Sequence, residues 1–216
     1  MNQSNEALIK KHVYFNQRFF ARWARVYDYE KYILFPIRNK AASLLNLPAN
    51  SRILDVATGT GAQAYSLAKR DYDVIGIDLS QEMLEQAKKK LAKGLKLKFI
   101  HGDATKLPFK DNTFDACSIS LALHDMPYEI RFLVLKEMMR VTKSDGKILI
   151  VDYLEPHKNY IARLTCMVAS LFETPMWKNF IDRGLLSHLN ISGLKPEMYA
   201  TSLNVSQIVI CPNKKS

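Results

Sequence analysis

Residues 53–61 read Ile53-Leu54-Asp55-Val56-Ala57-Thr58-Gly59-Thr60-Gly61. An apolar run meets an acid, then a turn with two glycines, then residues of helical character. A buried parallel strand delivers its C-terminal end to a nucleotide-like ligand in this way. Glycine has no Cβ and tolerates positive φ, so the backbone can come close to that ligand. The run Val74-Ile75-Gly76-Ile77-Asp78 follows. It puts an acid at a second strand end about 20 residues on, where the partner of ribose hydroxyls usually stands.

Outward from this pair the chain alternates strand and helix. Strands are predicted at 52–56, 73–78, 95–100, 114–121 and 147–153. Helices are predicted at 61–70, 80–92 and 128–141, the second capped by Ser80 with Glu82 in its first turn. Asp145-Gly146 reads as a turn. Such alternation gives a parallel sheet with helices on both faces. The last third breaks the rhythm. Helix-like segments at 159–172 and 176–190 precede two strands, 197–202 and 206–211, which form an antiparallel hairpin at a sheet edge. The expected fold is therefore α/β, a Rossmann-like sheet of seven mostly parallel strands closed by an antiparallel pair. Before the sheet, residues 13–45 read as helical. Phe15, Phe19, Trp23 and Tyr27 recur every fourth position as one aromatic face, and Pro36 reads as the start of a second helix.

The bulk numbers narrow the class. The chain has 216 residues, 48% of them hydrophobic, enough for one domain with a full core. Its net charge of +10 is compatible with nucleic acid, an anionic membrane, an acidic substrate or ordinary solubility. Lys88, Lys89, Lys90, Lys93, Lys96 and Lys98 read as the solvated face of a helix and the strand after it. Cys117, Cys166 and Cys211 have no zinc or CxxC spacing, so no metal is implied, and they fit a reducing cytosol. Residues 1–11 lack the apolar region of a signal peptide. The longest apolar stretch, 161–172, is interrupted by Arg163 and is too short to span a bilayer. A cytoplasmic location is expected.

With these motifs in order, the chain resembles the class I S-adenosylmethionine-dependent methyltransferases, nearest to the ubiquinone/menaquinone C-methyltransferase-like group. Asp55–Gly61 looks like the family's first motif, and Ile77-Asp78-Leu79-Ser80-Gln81-Glu82-Met83-Leu84 like its second-strand motif. Gly102-Asp103-Ala104, Leu107-Pro108-Phe109 and Asn112-Thr113-Phe114-Asp115 look like the third and fourth. The likeness covers roughly residues 50–155. Ala57 stands where many members have the first of three glycines. The segments 13–45 and 156–194 do not match the quinone enzymes.

The resemblance implies S-adenosyl-L-methionine as cofactor and S-adenosyl-L-homocysteine as product. It places Ala57, Gly59 and Gly61 under the methionine part, with Asp55 touching the amino group or the adjoining loop. Asp78 accepts from the ribose hydroxyls, Leu79 and Met83 cover adenine, and Asp103 with Ala104 meets its amino group. Ser120 faces the sulfonium side. Tyr27, in Val26-Tyr27-Asp28, resembles a cofactor-contacting tyrosine. His124 is the candidate general base, with pocket lining as its other reading. Tyr14, Phe19 and Trp23 are candidate substrate contacts on a helical lid, or else core aromatics. The implied layout is one methyltransferase domain over 1–216: a lid at 1–47, a cofactor core at 48–155, a helical substrate-side insertion at 156–194 and closing strands at 195–216. The expected partner is a small apolar or aromatic acceptor, quinone-like, a lipid head group or another metabolite. A peripheral membrane contact is open to the basic chain. RNA is disfavoured because no Asn/Asp-Pro-Pro-Tyr motif follows the fourth strand, and a non-catalytic scaffold that activates a partner is the remaining alternative. A nicotinamide oxidoreductase is disfavoured by the missing GxGxxG spacing.

Overall fold

A computed structural model describes residues 3–23, 31–154, 174–202 and 206–214. Its centre is a seven-stranded sheet in the order β3-β2-β1-β4-β5-β7-β6. Strands β1 (Arg52–Val56), β2 (Asp73–Asp78), β3 (Leu97–His101), β4 (Phe114–Ser120) and β5 (Thr142–Tyr153) run parallel. Strand β7 (Ser206–Pro212) is antiparallel to β5, and β6 (Met198–Ser202) is antiparallel to β7. The order reverses between β1 and β4, so a crevice opens at their C-terminal ends, where open sheets bind ligands.

Successive side chains of a strand point to opposite faces, and the core divides accordingly. Leu54, Val56, Cys117, Ile119, Ile148 and Ile150 pack on one face with α5 (Tyr128–Val141), α6 (Pro175–Arg183) and α7 (Leu185–Ile191). Ile53, Val74, Ala116, Leu149 and Val151 pack on the other with α2 (Lys31–Leu45) and α3 (Ala62–Ala68). Helix α4 (Gln81–Lys88) starts at Ser80, whose hydroxyl accepts from Met83 N–H at 3.2 Å, the expected cap.

Several boundaries differ from the sequence reading. The first helix, α1 (Gln3–Trp23), begins ten positions before residue 13. Pro36 lies inside α2 rather than at its start, five residues past Lys31, beyond the first four positions whose N–H groups have no helical partner anyway. Strand β5 includes Asp145 and Gly146 and shifts register against β4 between Phe114 and Ala116, so the expected turn is an irregular stretch of strand. The segment read as one helix at 176–190 is two, broken at Gly184 with φ 73°. Cys117 and Cys211 are buried thiols; burial pushes Cys211 up to about 12. The proposed helix at 159–172, Cys166 and Tyr27 lie outside the described residues.

Gly61 shows why one glycine of the turn cannot be replaced. Its φ is +78°, and an added Cβ would stand 2.6 Å from the Phe99 ring of β3. Gly61→Ala is expected to cost about 2–4 kcal/mol, from left-handed backbone strain and overpacking together. Urea unfolding checks this, with Gly94→Ala as a positive-φ control, since an added Cβ at Gly94 meets nothing within 4 Å.

Candidate cofactor site

The turn after β1 is built around a buried carboxylate. Asp55, 1% exposed, accepts from Thr58 Oγ1 at 2.6 Å and from the Ser118 hydroxyl of β4, its register partner. Burial pushes its pKa up to about 6, against these two hydroxyls and the nearby Arg38 charge. The turn is held from β2 as well. Asp78 accepts from Gly59 N–H at 2.7 Å through one oxygen and from Ser80 N–H at 2.9 Å through the other. Burial raises its pKa, and backbone N–H groups of Ser80, Gly59 and Leu79 oppose that rise. Each oxygen keeps a further lone pair for a ligand.

Above these turns lies a cleft with about 950 Å³ of empty space, its open mouth included. Asp55, Ala57, Gly59, Asp78, Leu79, Met83, Asp103, Ala104 and Ser120 all line it. Gly61 does not; it supports the turn against Phe99. Leu121, Ala122, Met126, Ile130 and Val134 add an apolar inner wall. Among the described residues, the non-glycine positions with positive φ are Asn46, Asn50, Asp71, Asn112, Ala57 and Leu121. Asn and Asp tolerate that region, whereas Ala57 (φ 51°) and Leu121 (φ 53°) do not do so readily. Both line the cleft, and strained backbone gathers at ligand sites.

The cleft's donors and acceptors suit an adenosyl amino acid. The Ser120 hydroxyl is buried with no hydrogen-bond partner among the described residues. At Gly59 an added Cβ would meet nothing within 4 Å, so the turn's backbone lies open to the cleft. Asp103 accepts from Thr105 N–H and Oγ1, both at 2.8 Å and both through Oδ1. Arg38 of α2 and Gln63 of α3 also line the cleft, and Gln63 Oε1 is buried without a partner among the described residues. Neither residue was singled out from sequence. Arg38 falls in the spacing 38, 41, 42, 45 with buried Ala41, Ala42 and Leu45, and this helical core pattern was the available signal.

His124, the candidate general base, is packed into the interior. It is 2% exposed and does not line the cleft. Its Nδ1 donates to Asp152 Oδ1 at 2.7 Å, and its Nε2 lies 3.2 Å from Asp125 Oδ2. Burial opposes its charge, but the two carboxylates outweigh burial and raise its pKa well above 6.5. That charged form has no lone pair with which to accept a proton. Arg131 balances the second carboxylate. It is 1% exposed and donates to the carbonyls of Leu123 (2.8 Å) and Met176 (3.0 Å) and to His188 Nε2 (2.9 Å). An arginine only donates, so His188 Nε2 accepts and its Nδ1–H bonds Gly184 O at 2.7 Å. Two cations and two anions are thus buried as a neutral set that joins β5, the turn after β4, α5, α6 and α7.

The aromatic candidates of α1 also lie apart from the cleft. Tyr14 is 61% exposed, and Phe19 stacks on Phe15 at 5.5 Å; neither lines the cleft. Of the Trp23 side chain nothing is described. The α1 residue that does line the cleft is His12, which sequence reasoning missed although it follows Leu8 and Ile9 at helical spacing. No group of residues that could hold a metal ion occurs among the described residues.

A family profile described as "Methyltransferase domain" matches residues 53–146. A demethylmenaquinone methyltransferase of Clavibacter sepedonicus is 40% identical over 108 residues, 50% of this chain and 43% of that protein. One of Bacillus licheniformis is 37% identical over 122 residues, 55% of this chain and 52% of that protein. The chain therefore spans about half the length of these curated relatives. A SAM-dependent methyltransferase structure from Aquifex aeolicus superposes with a TM-score of 0.63 at 22% identity, covering 81% of this chain and 88% of that one. The sheet order and this superposition show a Rossmann-like fold shared with that structure, and the likeness to a methyltransferase domain lies on residues 53–146.

Two outcomes follow from the buried charges. Unfolded Asp55 ionises near 3.8 and folded Asp55 near 6, so the folded state holds the extra proton in between. Its contribution to stability is present below about pH 4 and is lost as pH rises to about 6, by about 3 kcal/mol. Urea unfolding from pH 4 to 7 should show Asp55→Asn gaining on the native protein across that window. His124→Ala removes one of the two cations buried with Asp125 and Asp152 and is expected to cost about 3–5 kcal/mol in the same assay.

Proposed function

We propose that the chain transfers the methyl group of S-adenosylmethionine to a small apolar or aromatic acceptor of quinone-like type. The observation that carries this reading is the cleft itself. It joins a backbone-anchored acid at the end of β2, an open glycine turn at the end of β1 and an apolar inner wall. The names of the two bacterial relatives, both demethylmenaquinone methyltransferases, support the acceptor class. In this reading residues 48–155 form the cofactor core, 1–47 cover it, 156–194 select the acceptor and 195–216 close the sheet.

When bound, the cofactor supplies a methyl group activated by its sulfonium. The chain supplies binding, alignment and exclusion of water. Asp78 takes the ribose hydroxyls, and Asp103 and Ala104 meet the adenine edge. Leu79 and Met83 cover its face. The Arg38 guanidinium suits the amino-acid carboxylate. Asp55 keeps the turn in shape rather than touching the ligand. The Ser120 hydroxyl offers its unmade hydrogen bond beside the reacting centre. His124, already protonated, sets the position of Asp125 and of the turn after β4. The working site is cytoplasmic. A peripheral contact with an anionic membrane, where quinone-like acceptors dissolve, suits exposed Tyr14 and Phe15 beside Lys10, Lys11 and Arg18.

Calorimetry with S-adenosylhomocysteine tests the reading. Binding is expected, weakened at least about tenfold by Asp78→Ala, because two charge-assisted hydrogen bonds are lost. No binding, or equal binding by the variant, would refute it. Methyl transfer to a reduced short-chain naphthoquinone, followed by release of S-adenosylhomocysteine, tests the acceptor.

A further inference from the structure

Helix α1 carries two unlike faces. Lys10, Lys11, Tyr14, Phe15 and Arg18 are exposed, while Leu8 and Ile9 pack against the core cluster that includes α5 and α6. One helical turn on from Leu8, His12 enters the cleft. It lies near enough to Asp103 and Asp125 to feel both charges, yet burial prevails and lowers its pKa below 6.5. At neutral pH its imidazole is uncharged, with one nitrogen donating and the other accepting.

The neighbour of this imidazole gives it a use. Asp103 is acceptor-only when ionised. Its Oδ1 already holds both bonds from Thr105, so Oδ2 is left for a ligand. The Asp103 carboxylate and the His12 imidazole line the same cleft, so it offers a ligand an acceptor and a donor together. Adenine presents the complement on one edge, an amino donor next to a ring-nitrogen acceptor. Hypoxanthine, with a carbonyl in place of the amino group, presents an acceptor where Asp103 needs a donor.

We propose that His12 is a cofactor-binding residue, and that α1 covers the cofactor by presenting its imidazole, paired with Asp103, to the adenine edge. This rests on the S-adenosylmethionine reading of the cleft and adds to it a residue and a base specificity. The pair reads adenine through polarity, while Leu79 and Met83 supply contact that any purine would satisfy. Leu8 and Ile9 hold α1 at the distance where the imidazole reaches the ligand.

The test is calorimetric, with S-adenosylhomocysteine and its deaminated analogue S-inosylhomocysteine as probes, on the full chain. His12→Phe keeps the ring and removes both polar atoms. It is expected to weaken S-adenosylhomocysteine about tenfold, the worth of one buried hydrogen bond, and to narrow the preference over the inosyl analogue. His12→Gln keeps a donor and should recover part of both. Hydrogen exchange of residues 7–15 should slow when S-adenosylhomocysteine binds. Unchanged affinity in His12→Phe, or equal losses in His12→Phe and His12→Gln, would overturn the proposal while leaving the cofactor reading intact. Absence of binding by the unaltered chain would overturn both.

Discussion

The Asp55 carboxylate is the constraint on which the cleft end of the molecule depends. It lies at the end of β1, almost without solvent, and its two oxygens tie the following turn to the neighbouring strand through Thr58 and Ser118. A buried carboxylate is unfavourable without such partners. The cost is borne where the sheet order reverses, at the one place where the chain must leave a strand and pass close beneath a ligand. Asp78 then fixes the same turn from the other side through Gly59. Two acids from adjacent parallel strands thus hold one loop between them, and the loop's open face is the floor of the cleft.

The second organising group is the neutral set of His124, Arg131, Asp125 and Asp152. Buried ion pairs contribute little net stability compared with apolar packing, but removing one member is costly. Their value here is geometric. They fasten the turn after β4 to β5 and bring α6 against both, so that Asp125 and Met126 stand at the cleft wall. The Arg131 guanidinium also lies over the Phe180 ring at 5.0 Å, which joins the charged set to the apolar core.

Much of this was legible in the sequence, for identifiable reasons. The strand ends at Asp55 and Asp78 were readable because buried parallel strands are continuous apolar runs and the acids interrupt them. Helix α5 was readable over Tyr128–Val141 because its periodicity is undisturbed. Pro36 misled because a proline five residues inside a helix looks locally like a start. The surroundings of His124 were not legible because its partner Asp152 is 28 residues away, in an apolar strand. His12 and Arg38 were passed over for a related reason. A polar residue at core spacing gives no local sign of whether it faces a core or a cavity, and only the meeting of α1 and α2 with the strand ends decides it.

Ala57 and Leu121 hold left-handed backbone at the two strand ends that frame the cleft. In such a place glycine would relieve strain, yet it would also loosen the rim. Selection for heat resistance alone would therefore act first on the residues that shape the binding surface, and the gain in melting temperature would come with a blunter site. A chain that keeps side chains at both positions has accepted a less stable rim in return for a preset one. Laboratory evolution of this protein should then seek its stabilising changes away from the strand ends, along the β6–β7 edge.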